Sequence, residues 1–194
     1  MNKKSFLTAS TLALAISTAT TAVYSAELEE IIVTAQKRAE SLQDVPISMS
    51  ALSGSTIKDN GIHSFQDLSG YVPNLEIAEN AVNTIITMRG IGIGSNQSFE
   101  QSVGIYVDGV HFGKSRQVRS GLFDVEQVEV LRGPQGILFG KNTLAGAINV
   151  TTASANVGDE FSGGIDVSQE SYNGQIVDAH IAGSVTDNLA LRFA

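Results

Sequence analysis

Gly133, Gly136 and the pair Gly140-Lys141 bring this chain nearest to nucleotide chemistry. A phosphate loop cradles an anion with backbone amides, and it needs a glycine five residues before the Gly-Lys pair and a hydroxyl directly after it. Gln135 holds the first place and Asn142 the second, so the pattern fails. Gly90, Gly92 and Gly94 likewise lack the dinucleotide spacing. His63, His111 and His180 stand far apart with no metal-ligand spacing, and there is no cysteine to join them. No Gly-x-Ser-x-Gly elbow presents a nucleophilic serine. The sequence therefore nominates no catalytic group, no metal site and no cofactor. What remains is recognition chemistry. Arg89 and Arg132 each precede a glycine, Lys114, Arg116 and Arg119 form a cationic cluster, and a β-branched run Ile31-Ile32-Val33 follows Glu29-Glu30.

The elements that must position these residues begin after a removable leader. Lys3 and Lys4, an uncharged apolar stretch over 6–16 and small residues up to Ala26 have the layout of a secretory signal peptide, assigned to 1–26. The apolar part is shorter than the roughly 20 residues a spanning helix needs. The chain has 12 Lys+Arg against 20 Asp+Glu, and losing Lys3 and Lys4 makes the balance more acidic still. That sign excludes a nucleic-acid partner, which would require a basic footprint. An exported chain without disulfides must be held by its core or by a larger structure around it. With 194 residues and 42% hydrophobic content, one domain plus appendages is expected.

Residues 27–43 are polar, with little apolar content beyond Ile31-Ile32-Val33, and predict a mobile arm. The run itself suits strand addition to an exposed sheet edge, where backbone hydrogen bonds supply affinity. A strand is predicted over 45–51 and a short helix from Ser53 to Asn60, stopped by Gly61. Ser64 with Asp67 predicts a second helix start, ending before Pro73. Alternation over 85–90 predicts a strand running on into 91–94. The strand over 104–107 is closed by an Asp108-Gly109 turn, and strands over 127–132 and 146–152 complete a small mixed sheet. After Thr152 the texture changes to longer alternation: Ile165 and Val167 against Asp166 and Ser168, Val177 to Ile181 against Asp178 and His180, Leu189 to Phe193 against Arg192. Strands of about ten residues with tight turns are the signature of an outer-membrane barrel. Three such strands cannot close, and an open edge in lipid leaves backbone groups unpaired. The remainder of a barrel is therefore expected outside these residues.

The order of motifs over 29–152, and above all over 123–150 with Arg132-Gly133-Pro134-Gln135-Gly136 at its centre, resembles the plug domain of TonB-dependent outer-membrane receptors. The resemblance implies an α+β fold: a small mixed β-sheet plug domain with short helices over 44–155, preceded by the arm 27–43. The first antiparallel strands of an incomplete outer-membrane β-barrel would then occupy 156–194. It implies that Glu29, Glu30, Ile31, Ile32, Val33, Thr34 and Ala35 are the TonB box, offered to the periplasmic domain of TonB. It implies that Arg89 and Arg132 lock plug to barrel by meeting barrel glutamates. It implies that the loops over 92–101, with Ser95, Asn96 and Gln97, and over 111–119, with Lys114, Arg116 and Arg119, face the ligand. The expected function is energised uptake of a ferric siderophore or similar scarce ligand across the outer membrane, with no enzymatic step. The alternative is a barrel-less exported plug that binds ligand or TonB without transport.

Overall fold

Val128 and Val130 alternate with Gln127 and Glu129 along the middle of the chain, and that two-residue period organises the fold around a strand with two different faces. A computed structural model describes residues 31–34, 36–81, 83–94, 100–169 and 173–194. Residues 31–194 form one unit, and the expected leader lies outside the described residues. Its strands, in chain order, are β1 (Ile32–Val33), β2 (Glu40–Ser41), β3 (Met49–Ser53), β4 (Leu75–Glu79), β5 (Thr84–Met88), β6 (Ile91–Gly92), β7 (Val103–Val107), β8 (Val110–His111), β9 (Val125–Arg132), β10 (Gly146–Thr152), β11 (Ser162–Gln169), β12 (Gln175–Thr186) and β13 (Leu189–Phe193). Two short helices, α1 (Gly54–Asp59) and α2 (Gly136–Phe139), and 3-10 turns at Asp67–Gly70 and Ser115–Arg119 complete it. The fold is α+β, as expected.

A mixed five-stranded sheet in the order β3-β9-β10-β7-β8 carries the core. Strand β9 runs antiparallel to both β3 and β10, whereas β10 and β7 are parallel. On one face Val128, Val130, Ile148, Val150, Val103 and Ile105 are buried against Ile57, Ile62, Phe65, Leu68 and Val72. Ile77, Ile86 and Met88 of the separate β4-β5-β6 sheet join the same core. At Gly146 the two sheets approach closely: a Cβ there would stand 2.2 Å from Met88 Sδ and 2.3 Å from Leu131 O.

Local signals explain several elements. Ser53 caps α1 by accepting the Thr56 amide, and Gly61 at φ 61° ends the turn that follows. Asp108 and Gly109 at φ 48° and 78° form the two-residue turn that pairs β7 with β8, and Asp108 also accepts the Thr152 amide at 2.9 Å. Ser64 and Asp67 exchange hydrogen bonds as a helix start should, but only the single 3-10 turn Asp67–Gly70 follows, ending on Gly70 with Pro73 close behind.

The structure differs from expectation at three places. The strand predicted to run through 85–94 ends at Met88; Arg89 and Gly90 at φ 51° and 78° turn the chain, and β6 pairs back along β5. Strand β4 was not expected, although Leu75 and Ile77 alternate with Glu76. The arm expected to be mobile over 27–43 is, from residue 31 on, a small hairpin: Ile32 pairs with Ser41 and Val33 with Glu40, and the chain bends through Lys37 at φ 60°.

The sheet β11-β12-β13 stands apart from the core cluster and has two chemical faces. Ile165, Val177, Ile181, Leu191 and Phe193 point outward, Ile165 at 74% and Phe193 at 65% exposure. On the opposite side, Asp166 pairs with Lys58 at 2.7 Å and Arg192 with Asp124. No helix among the described residues is long and apolar enough to cross a membrane, which leaves crossing by strands open.

Gly146→Ala should force Met88 or the β9 backbone to shift and destabilise the domain by about 1–3 kcal/mol. Urea denaturation followed by circular dichroism measures this as a lower midpoint with an unchanged slope.

Candidate functional site

The arm lies on the second face of the five-stranded sheet. Val33 is 1% exposed, so a β-branched side chain from a polar segment is fully packed. Its neighbours hold it through the main chain. Gln127 Nε2 donates to Ile32 O at 3.1 Å, and the Thr34 amide donates to Glu129 Oε1 at 2.5 Å. The Leu42 amide donates to Ile31 O at 2.9 Å, and the Lys37 amide donates to Thr34 O at 2.7 Å to close the bend. Ile31, Ile32, Val33 and Thr34 are thus placed together, while Glu29, Glu30 and Ala35 lie outside the described residues. Sequence reading missed Gln127 and Glu129. A polar residue in a period-2 strand reads as solvent-facing, and here that face is covered by the arm.

Arg89 and Arg132 come together although 43 residues separate them in the chain. Arg89 sits at the exposed turn between β5 and β6, its amide donating to Asn74 O at 2.9 Å. Its guanidinium lies beside Gly133, where an added Cβ would be 3.7 Å from a guanidinium nitrogen. Arg132 donates to Ser48 Oγ at 3.2 Å, Met49 O at 3.0 Å and Pro73 O at 3.4 Å. All three acceptors are neutral. Neither guanidinium forms an ion pair with a carboxylate among the described residues.

The cationic cluster is carried by the 3-10 turn Ser115–Arg119, anchored by buried Val118. Lys114 opens it, its amide donating to Gln117 Oε1 at 2.9 Å. Arg119 donates from Nε to Thr84 Oγ1 at 3.4 Å and from Nη2 to Asn80 O, which ties the turn to β5. Lys114 and Arg116 are exposed on the same turn. Ser95, Asn96 and Gln97 lie outside the described residues. His111 packs its ring 5.1 Å from Tyr106, while His63 and His180, far apart in the chain, border one cavity.

The profile of the TonB-dependent receptor plug domain matches residues 41–147, which include four strands of the five-stranded sheet, the start of β10 and both arginines. The chain belongs to that family.

Among its relatives is the pesticin receptor of Yersinia pestis, 32% identical over 167 residues, which are 80% of this chain and 24% of that protein. The iron-regulated outer membrane virulence protein of Vibrio cholerae is 27% identical over 84% of this chain and 26% of its own length. The crystal structure of the ferric yersiniabactin uptake receptor of Yersinia pestis superposes with a TM-score of 0.66 at 30% identity, covering 75% of this chain and 24% of that one. The chain thus spans about a quarter of the length of these relatives. The family consists of receptors and transporters, not enzymes.

In this plug, two ion pairs among the described residues join the domain to the strands that follow it. Arg192 of β13 donates from Nε to Asp124 Oδ2 at 2.7 Å and from Nη2 to Asp124 Oδ1 at 2.6 Å, a two-pronged contact with both side chains about four-fifths buried. The Arg192 hydrogen bonds, helped by the positive fields of Arg192, His180 and Lys58, hold the Asp124 carboxyl below the usual carboxylate range, and Asp124 raises Arg192 in return. Asp124 takes a left-handed φ of 49° just before β9, which turns its carboxylate towards β13. Lys58 of α1 repeats the theme with Asp166, at greater exposure and therefore lesser worth. The sequence signal for both was a single charged residue on the polar side of each alternating strand.

Because Asp124 is depressed in the folded state, its contribution is present above the unfolded carboxylate pKa of about 3.9 and is lost as pH falls through the lower folded value. Asp124→Asn should therefore remove about 1–2 kcal/mol at pH 7 and nothing once the wild-type carboxyl is protonated. Denaturation midpoints of the two proteins compared between pH 7 and pH 2.5 check this by converging at the acid end.

Proposed function

We propose that this chain is the N-terminal part of a TonB-dependent outer-membrane receptor that takes up a ferric siderophore or a similar scarce ligand. The single observation that carries the reading is the two-faced sheet β11-β12-β13. It turns an apolar row outward and fastens its polar row to the plug through Arg192–Asp124 and Lys58–Asp166. A surface sheet in water gains nothing from exposing Ile165, Val167, Val177 and Phe193, whereas the wall of a barrel in lipid requires it. Outer-membrane location follows from that face and from the names of the relatives. Iron uptake rests on two of them, one called iron-regulated and one a ferric yersiniabactin receptor.

Arg89 and Arg132 supply guanidinium groups that can donate to carboxylates of a surrounding barrel. Lys114 and Arg116 offer positive charge in an acidic domain, suited to an anionic chelate together with the loop that holds Ser95, Asn96 and Gln97, while Arg119 fixes the turn that carries them. The segment from Glu29 to Ala35 is the part given to the periplasmic domain of TonB as an added strand. Force on it, drawn from the inner-membrane proton gradient, rearranges the plug and opens a path for the ligand. No bond is made or broken.

Uptake and binding separate the parts. In the full-length receptor Ile32→Pro removes a main-chain donor and restricts the strand, so uptake of labelled ferric siderophore should fall at least tenfold while surface binding is kept. Unchanged uptake would end the strand-addition reading. Exchange of Lys114 and Arg116 for Ala should weaken binding of a negatively charged chelate several-fold, more at low salt than at high.

A further inference from the structure

On its second face the five-stranded sheet carries a polar row where an apolar one would pack better. Glu129 stands across the pairing from Asn149, and Asn149 across from Tyr106. Glu129 is 1% exposed. Its Oε2 accepts Asn149 Nδ2 at 2.8 Å, its Oε1 accepts the Thr34 amide at 2.5 Å, and Gln127 Nε2 approaches Oε1 at 3.4 Å. A buried acidic group is costly to keep, and an apolar residue of similar size would often serve stability as well or better. Its presence calls for a role other than filling space.

Geometry supplies that role. Gln127 and Glu129 are two residues apart on one strand face, and the groups they hold, the Ile32 carbonyl and the Thr34 amide, are two residues apart on the arm. Two residues of extended chain span about 6.7 Å, so the side chains present a donor and an acceptor at the spacing of a neighbouring strand's backbone. They imitate a sheet edge with only two rungs. A partner that supplied a real edge would offer a longer ladder and could take the arm over. A cavity of about 460 Å³ bordered by Thr34, Lys37, Tyr106, Asp108, Phe139 and Asn149 adjoins the contact, so water can reach the Glu129 side once the arm leaves.

We propose that Glu129, supported by Gln127, is the latch that holds the arm on the plug and sets how often the arm is free for strand addition. Glu129 acts as a positioning residue, through main-chain groups of the arm. The functional consequence rests on the reading of that arm as the segment given to TonB; the latch itself does not.

These 194 residues have no cysteine, so in a full-length protein freed of any cysteine elsewhere Val33→Cys gives a single reporter thiol on the buried side of the arm and Val118→Cys a single reporter thiol in the core. Glu129→Gln keeps the shape and removes the charge: with Asn149 turned to accept from the new NH2, the Thr34 amide is left with a neutral acceptor in place of a charge-assisted one. In the full-length protein, reaction of the arm thiol with a water-soluble maleimide should speed up roughly tenfold with Glu129→Gln, the scale of one lost charge-assisted hydrogen bond. Gln127→Leu should give a smaller rise, and the core thiol should stay slow throughout. An unchanged rate at the arm thiol overturns the latch. So does a parallel rise at the core thiol, which would make Glu129 a residue of global stability. The same variants are then titrated with the purified periplasmic domain of TonB. Tighter binding by Glu129→Gln supports the latch in its proposed setting, whereas faster labelling of the arm thiol with unaltered TonB binding keeps the latch and removes the TonB reading of the arm.

Discussion

The period of two along β9 is the constraint on which the rest of the structure hangs. Val128 and Val130 fill the core while Gln127 and Glu129 on the reverse side hold the arm, and Arg132 ends the strand just before Gly133, beside which the Arg89 guanidinium lies. A slip of one residue would put Glu129 into the core and a valine under the arm, so register ties stability and the placement of the arm together. The antiparallel neighbours β3 and β10 fix that register from both sides, and the close approach of Met88 to Gly146 brings the β4-β5-β6 sheet onto the same frame.

Charge is distributed along this frame by what each face must meet. Against the β11-β12-β13 sheet, the plug presents Asp124 and Lys58, each satisfied within the chain by Arg192 and Asp166. At the β5–β6 turn it presents Arg89 beside Arg132 with neutral acceptors only. Under the arm it presents a buried acid bonded to an amide. These are three different electrostatic situations: a closed pair, an open pair of cations, and a side chain whose partner is part of the backbone. The first and the third are complete within the described residues, whereas Arg132 has only neutral acceptors there.

Much of this was legible in the sequence wherever one residue type has one conformational use. Gly61 as a stop and Asp108-Gly109 as a two-residue turn follow from residue chemistry alone. The alternation after Thr152 announced strands with an apolar and a polar side. What escaped were positions where residues act against type. Arg89 adopts a left-handed φ that arginine rarely takes, so unbroken alternation through 85–94 hid a hairpin. Lys37 does the same in the arm, where no glycine or proline marked a bend. Glu129 reads as a solvent-side residue until something covers it, and the cover is the segment whose polarity had suggested a free arm. Contacts between residues some 95 positions apart, such as Thr34 with Glu129, have no local signature at all.

The most direct measurement is site-directed disulfide cross-linking in cells between single cysteines placed in turn at Ile31, Ile32, Val33 and Thr34 and a cysteine on an edge strand of the TonB periplasmic domain. Strand addition predicts cross-links that alternate with a period of two along the four positions and grow when ligand is supplied. Uniformly absent cross-links, or equal yields at all four positions regardless of ligand, would contradict the claim that this arm is the segment by which the plug is pulled.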